Sequence, residues 1–146
     1  SETAKIAFVF ARRGMLSELG SHAVLPRVVG FSNAADLLMS GRPVTGTEAA
    51  GMGLVSATVP QEDVLSVAVA QAKEMATLSA PVSMAISKRL LWESMGLDEM
   101  RRREEPLFDW VAAQPDSIEG VESFLEKRDP DWKLSAVDDF PEDLFA

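Results

Sequence analysis

The sequence predicts an α/β chain, and three observations carry that reading. Ile6 to Phe10 (Ile-Ala-Phe-Val-Phe) is a short apolar run with β-branched and aromatic residues, the composition of a buried strand. Leu54 to Val59 has the same character and is closed by Pro60. From Glu62 onward, apolar residues recur at three- and four-residue steps through successive stretches, the spacing of amphipathic helices.

The elements follow in order. After the first strand, Arg12, Arg13 and Gly14 open an irregular stretch that is expected to last to Pro26-Arg27. Ser32 can cap a short helix over Asn33 to Met39, stopped by Gly41. Thr45-Gly46-Thr47-Glu48 fits a capping box, opening a helix that ends near Gly51 or Gly53. Glu62 to Leu78 reads as a long helix through Val64, Leu65, Ala68, Ala72, Met75 and Ala76. The next starts at Ala80-Pro81, with the proline tolerated in the first turn, and runs to about Ser94. Leu97 to about Gln114 is helical with Pro106 expected to kink or split it, because proline removes an internal hydrogen bond. Asp116-Ser117-Ile118-Glu119 looks like another capped start, for a helix ending near Arg128 before Asp129-Pro130-Asp131. The tail from Trp132 is acidic, with Phe140, Leu144 and Phe145 as apolar anchors. The stripe Leu90, Leu91, Met95 and Met100 reads as core or subunit contact. Two strands make a weak sheet alone, so further strands upstream are expected.

Composition narrows the function. The 146 residues are 47% hydrophobic and 25% charged, which suits a globular chain and excludes a disordered one. The net charge of −9 disfavours a nucleic-acid backbone as partner. No cysteine is present, so disulfides and thiolate chemistry are excluded, and the single histidine leaves no His-rich metal site. No apolar run is long enough to span a bilayer, and the expected location is cytoplasmic. The start at Ser1 lacks an initiator Met, so the chain is expected to begin inside a longer protein.

Ala4-Lys5, Gly14, Leu25-Pro26-Arg27-Val28-Val29-Gly30, Ser40-Gly41-Arg42-Pro43-Val44 and Ala49-Ala50-Gly51-Met52-Gly53-Leu54-Val55 follow one another in an informative order. Further on come Ser79-Ala80-Pro81 with Ser87-Lys88, and Glu119-Gly120-Val121 with Phe124-Leu125-Glu126-Lys127-Arg128. This series resembles the crotonase superfamily, the enoyl-CoA hydratase/isomerase family. Each motif is weak alone; their order and spacing make the resemblance specific. It implies an α/β fold with a ββα spiral core and a C-terminal helical region that forms trimers. It is read here as the C-terminal portion only, with the spiral core mostly upstream of this chain. Residues 1–60 are then the end of the core with an active-site loop, and 61–146 the helical oligomerisation region and acidic tail. A missing N-terminal half is implied as a partner, and this stretch by itself is expected to be inactive.

The implied substrate is a coenzyme A thioester, with no covalently bound cofactor and no metal. A thioester acidifies its α-proton, and a carboxylate can move that proton. Hydratases of the family usually use two glutamates, one of them near residue 10; here Phe10 stands there and cannot transfer a proton. Glu18, in Leu16-Ser17-Glu18-Leu19-Gly20-Ser21, matches the loop glutamate of a subset of enoyl-CoA isomerases, with Ser17 in place of proline. An apolar pocket of Phe8, Phe10 and Leu16 is expected around it. His22, four residues on, could orient Glu18 or donate a proton. The resemblance gives Phe108 and Lys127 as coenzyme A contacts; the residues alone also suit core packing for Phe108 and a solvated Lys127 beside Glu126. Arg12 and Arg13 suit a phosphate or, more simply, solvent.

The expected function is therefore isomerisation of an enoyl-CoA double bond by a single glutamate, in a homo-oligomer (a trimer or dimer of trimers). The alternatives are an enoyl-CoA hydratase and a non-catalytic binding or assembly module of the same fold. An unrelated helical interaction domain would leave the motif series to coincidence.

Overall fold

The computed structural model describes residues 1–93 and 97–145. Met95 and the helix end near Ser94 lie outside the described residues. The chain forms two compact units, Ser1–Ala68 and Val69–Ala146.

The first unit is built on an antiparallel strand pair. β1 (Lys5–Ala7) pairs with β2 (Pro43–Thr45) in the register Lys5 to Thr45, Ile6 to Val44 and Ala7 to Pro43. Alternation sets the faces: Val44 is buried between exposed Pro43 and Thr45. β1 is shorter than the apolar run predicts. Its partner is only three residues long and begins at a proline with no N–H to donate, so Phe8 to Phe10 find no ladder there. The chain turns instead into a 3₁₀ turn, Ala11–Arg13, closed by Gly14 in the left-handed region. Leu54 to Val59 is not a strand. Its backbone is tied to the N-terminus by one bond, Glu2 N–H to the Val59 carbonyl at 3.0 Å.

α1 (Ser21–Ser40) begins inside the stretch expected to be irregular and takes its last seven residues. Pro26 sits inside it, where the bond it cannot make would go to the carbonyl of His22, an exposed first-turn residue. Burial of Leu25 and Val29 on either side outweighs that loss. The real break is four residues later, at Gly30 (φ 77°, ψ 160°), where the Asn33 side chain donates to the freed Val29 carbonyl at 2.9 Å. Gly41 ends the helix in the left-handed region, as its place after Ser40 predicts. α2 (Gly46–Gly51) opens with the expected cap: Thr45 Oγ1 accepts from Glu48 N–H at 3.1 Å. A Cβ on buried Gly46 would overlap the Ser1 carbonyl, so only glycine admits the N-terminus there. Leu25, Val29, Ala34, Leu37, Val44 and Ala49 form the core.

These elements correct the expectation of a spiral core mostly upstream. Strand, short helix and long helix occur together in this chain. Ile6 finds its partner within the chain, in Val44, thirty-eight residues further on.

α3 (Val64–Leu78) follows a 3₁₀ turn at Gln61–Asp63. The second unit contains α4 (Pro81–Glu93), α5 (Leu97–Ala112), α6 (Pro115–Glu126) and a final 3₁₀ turn, Glu142–Phe145. α5 runs through Pro106 without splitting. The proline is exposed, so solvent can serve the carbonyl it leaves free. α6 starts at Pro115, the favoured first-turn place for proline, with Gln114 as N-cap. Asp116 is therefore not the cap; its buried carboxylate accepts the backbone N–H groups of Lys133 (2.7 Å) and Leu134 (3.3 Å), pinning the tail to the helix. Val82, Ile86, Leu107 and Phe145 make the core of this unit, with Leu90, Trp110, Phe140 and Leu144 packed against it.

Candidate active-site loop and C-terminal turn

Glu18 stands on the loop between the 3₁₀ turn and α1, and its side chain is exposed. The loop is held at both ends. Met15 N–H donates to the Phe10 carbonyl at 2.9 Å, and Ser17 is buried. On the other side, Ser21 donates to the Glu18 carbonyl from both its N–H (3.1 Å) and its hydroxyl (2.5 Å). Between them Leu19 (φ 54°) and Gly20 (φ 72°) are both left-handed. A leucine in that region is strained, and strain of this kind collects at functional loops. The carboxylate is thus carried on a loop with a fixed backbone, next to the N-terminus of α1.

The apolar surround expected for Glu18 is open. Phe8 is half-buried against the core, but Phe10 and Leu16 are exposed, Leu16 at 75%. His22 is on the first turn of α1 and exposed. Arg12 donates from Nε to the Ser40 carbonyl at 2.5 Å, tying the 3₁₀ turn to the end of α1. Arg42, from the motif series, pairs with Asp36 (2.8 Å) and Glu48 (2.7 Å), and these partners raise its pKa. It staples α1 to α2 across β2.

The remaining sequence-predicted residues lie in the second unit. Phe108 is on α5 and 72% exposed, which removes core packing as its role. It borders an open groove of about 680 Å³ with Arg101, Arg102, Glu105 and Asp109, and a smaller one of about 310 Å³ with Ser87, Leu90 and Val111. Lys127 is exposed and left-handed (φ 54°) at the end of α6. The next residue, Arg128, forks onto Glu119, with Nη1 to Oε1 at 2.5 Å and Nη2 to Oε2 at 3.0 Å. Glu119 also accepts the Asp131 N–H at 2.6 Å. These donors, Arg128 first, hold the Glu119 carboxyl down at about 2 and push the Arg128 pKa up. Sequence reasoning found the Glu119 to Arg128 stretch as a motif but missed this fork; the opposite charges nine residues apart around a helix end were its only signal.

The catalytic candidates Glu18 and His22 belong to the first unit, and Phe108 and Lys127 to the second. Among the described residues no group of three or more His, Asp or Glu side chains gathers to hold a metal. Nor, among the described residues, is any helix long and apolar enough to cross a membrane.

Comparison with known proteins gives one consistent answer. The sequence model of the family described as Enoyl-CoA hydratase/isomerase matches residues 1–135. A Thermus thermophilus protein with an enoyl-CoA hydratase name is 37% identical over 131 residues, which are 88% of this chain and 51% of that protein. The 2,3-dehydroadipyl-CoA hydratase of Escherichia coli is 34% identical over 134 residues, 90% of this chain and 52% of its own. Among solved structures, a probable enoyl-CoA hydratase/isomerase from Mycobacterium abscessus superposes with a TM-score of 0.87 at 32% identity, covering 92% of this chain and 56% of that one. An enoyl-CoA hydratase from Bacillus anthracis superposes with a TM-score of 0.84 at 26% identity, covering 90% and 52%. The chain spans about half the length of the relatives it matches.

Two expectations are corrected by these matches. The resemblance is not confined to part of this chain: the match runs over residues 1–135 and takes in the strand pair, α1 and the helical unit alike. Nor do the matches show an N-terminal half as a partner: they take in 88–92% of this chain and 51–56% of the relatives. With its motifs, its strand pair and helices, and 135 consecutive residues all in agreement, the chain belongs to the enoyl-CoA hydratase/isomerase family.

Proposed function

We propose that the protein acts on enoyl-CoA thioesters, with Glu18 as the group that takes and returns the proton. The observation that carries this is the loop itself: an exposed carboxylate on a backbone fixed by Ser21 and strained at Leu19, within the stretch the family match covers. A thioester makes the α-proton acidic enough for a carboxylate to move it. Hydration is the reading that the relatives' names favour. Glu18 would then deprotonate the water that attacks C3 and return a proton to C2. His22, four residues after Glu18 on the first turn of α1, is a weaker candidate for orienting it.

Isomerisation is the second reading, and Phe10 favours it. That residue stands where the resemblance places a second glutamate, and one carboxylate suffices to carry a proton between C2 and C4. Phe108 and Lys127 are proposed as coenzyme A contacts, the ring against the adenine and the ammonium on a phosphate. The exposed Phe31, Phe124 and Leu125 support a homo-oligomer, a trimer or a dimer of trimers. The cytoplasm is the location that goes with this reading.

The test is product analysis. A 2-enoyl-CoA and a 3-enoyl-CoA are each incubated with the protein and the products separated. A 3-hydroxyacyl-CoA supports hydration, and interconversion of the two enoyl esters supports isomerisation. If neither ester reacts, the proposal fails and a binding or assembly module takes its place.

A further inference from the structure

A helix that ends in this geometry usually has glycine at the left-handed position. Here the turn after α6 is closed by Arg128 N–H to the Ser123 carbonyl (3.1 Å) and Lys127 N–H to the Phe124 carbonyl (3.3 Å), and the left-handed residue is Lys127. A Cβ in that conformation is unfavourable. The chain therefore holds a lysine where glycine would be more stable, and holds it by other means.

The guanidinium of Arg128 bridges Glu119 on the body of α6, Glu126 on its last turn (2.6 Å) and the Asp129 carbonyl (3.2 Å). Glu119 clamps the far side of the turn through Asp131 N–H. Asp131 in turn pairs with Lys133. Residues 127–131 are thus stapled to the helix on both sides of the lysine. The staple has a second effect. Glu119, Glu126 and Asp131 lie within eight residues of the exposed Lys127, and each is already committed to another donor. Lys127 takes no part in these ion pairs among the described residues.

We propose that the Glu119–Arg128 fork positions Lys127 for an anionic ligand, by fixing its left-handed turn and by occupying the carboxylates that would otherwise pair with its ammonium. The inference rests on the reading of Lys127 as a contact to a coenzyme A phosphate. Glu119 and Arg128 are positioning residues; neither is assigned a contact with the ligand.

The sign of the effect separates this from simple charge. Glu119→Gln removes a negative charge near a site for an anion. Through the field alone that change tightens binding; through loss of the fork it weakens binding.

The experiment is calorimetric titration of the chain with free coenzyme A, for the wild type, Glu119→Gln, Arg128→Lys, Lys127→Ala and the double variant Glu119→Gln/Lys127→Ala. Circular dichroism of each variant checks the helices. Lys127→Ala is expected to weaken binding about tenfold, the worth of one charge-assisted contact. Glu119→Gln is expected to weaken it about threefold or more, Arg128→Lys by a smaller amount because one donor remains, and the double variant no further than Lys127→Ala alone. Lys127→Gly is expected to raise Tm while losing affinity. If Lys127→Ala weakens binding and the two fork variants leave it unchanged or tighten it, the positioning role is overturned and the phosphate reading stands. If the double variant loses the sum of both effects, the fork acts elsewhere and the proposal fails. If Lys127→Ala binds as the wild type does, or the wild type binds no coenzyme A, the reading beneath the proposal fails and takes it along.

Discussion

Phe145 stands one residue from the end of the chain, yet it is only 7% exposed and sits in the core with Val82, Ile86 and Leu107. Its ring stacks on Phe140 with centroids 5.3 Å apart, and the Arg89 guanidinium lies 4.0 Å above it. Arg89 is itself held by Glu142 at 2.7 Å. Phe145→Ala removes the ring that closes this core. Truncating a buried phenylalanine costs about 3–5 kcal/mol, a range that already contains its pair contacts. A short 3₁₀ turn relaxes more easily than a helix interior, which places the expectation at the lower limit, about 3 kcal/mol. All three tryptophans, Trp92, Trp110 and Trp132, lie in the second unit, so their fluorescence in urea follows this unit alone. With a urea dependence of about 1–1.5 kcal/mol per molar, the midpoint should fall by about 2–3 M. Val137→Ala, at a side chain 88% exposed in the same tail, should stay within about 0.5 kcal/mol of the wild type. A Phe145→Ala midpoint no lower than that of Val137→Ala would refute the claim that the tail seals the core.

The remaining predictions concern caps, charge and close approach. Thr45→Ala removes the acceptor of the Glu48 N–H and should destabilise the first unit by about 1 kcal/mol, while Thr45→Ser retains most of it; thermal unfolding followed by circular dichroism checks both. Gly46→Ala places a Cβ on the Ser1 carbonyl and should lower the hydrogen-exchange protection of the β1–β2 amides, with Gly51→Ala, whose Cβ meets nothing, as control. The Glu119 carboxyl is depressed from its ordinary 4.5 to about 2, chiefly by Arg128 and then by the Asp131 N–H. A depressed carboxyl stabilises the fold above its unfolded value and loses that contribution as pH falls through the folded one. Stability of the second unit should therefore decline between about pH 4.5 and pH 2, and Glu119→Gln should flatten that part of the profile.

The helical unit is legible in the sequence because its signals are local. The spacing of apolar residues over 64–78 and 81–93, and Pro115 at a first turn, follow from one element at a time. Thr45 and Gly41 declare their caps within a few residues, for the same reason. Phe140, Leu144 and Phe145 stand out as the apolar residues of an acidic tail, and all three pack on the core. What the sequence conceals depends on distant partners. Leu54 to Val59 has strand composition but no ladder among the described residues, whereas Pro43–Thr45, with a proline, becomes a strand because Ile6 faces Val44. α1 forms through Pro26 because Leu25 and Val29 are buried by residues far along the chain. At the candidate site, the motif singles out Glu18 as a candidate, but its strained neighbour Leu19 is concealed, since nothing in a leucine announces a left-handed backbone. Phe108 shows the reverse limit: its helical spacing suits a core residue, and the structure leaves it exposed at a groove.

The central claim, that Glu18 moves the proton of a coenzyme A thioester, is tested most directly by hydrogen exchange. An acyl-CoA is incubated with the protein in deuterated water, and loss of its α-proton signal is followed by NMR for the wild type and Glu18→Gln. The side chain is exposed and the Glu18 contacts that hold the loop are made by its backbone, so the substitution leaves the fold intact. The account predicts exchange in the wild type and a rate lower by about 10²–10⁴-fold in Glu18→Gln, the usual loss of a general base. Exchange at the wild-type rate in Glu18→Gln would contradict it.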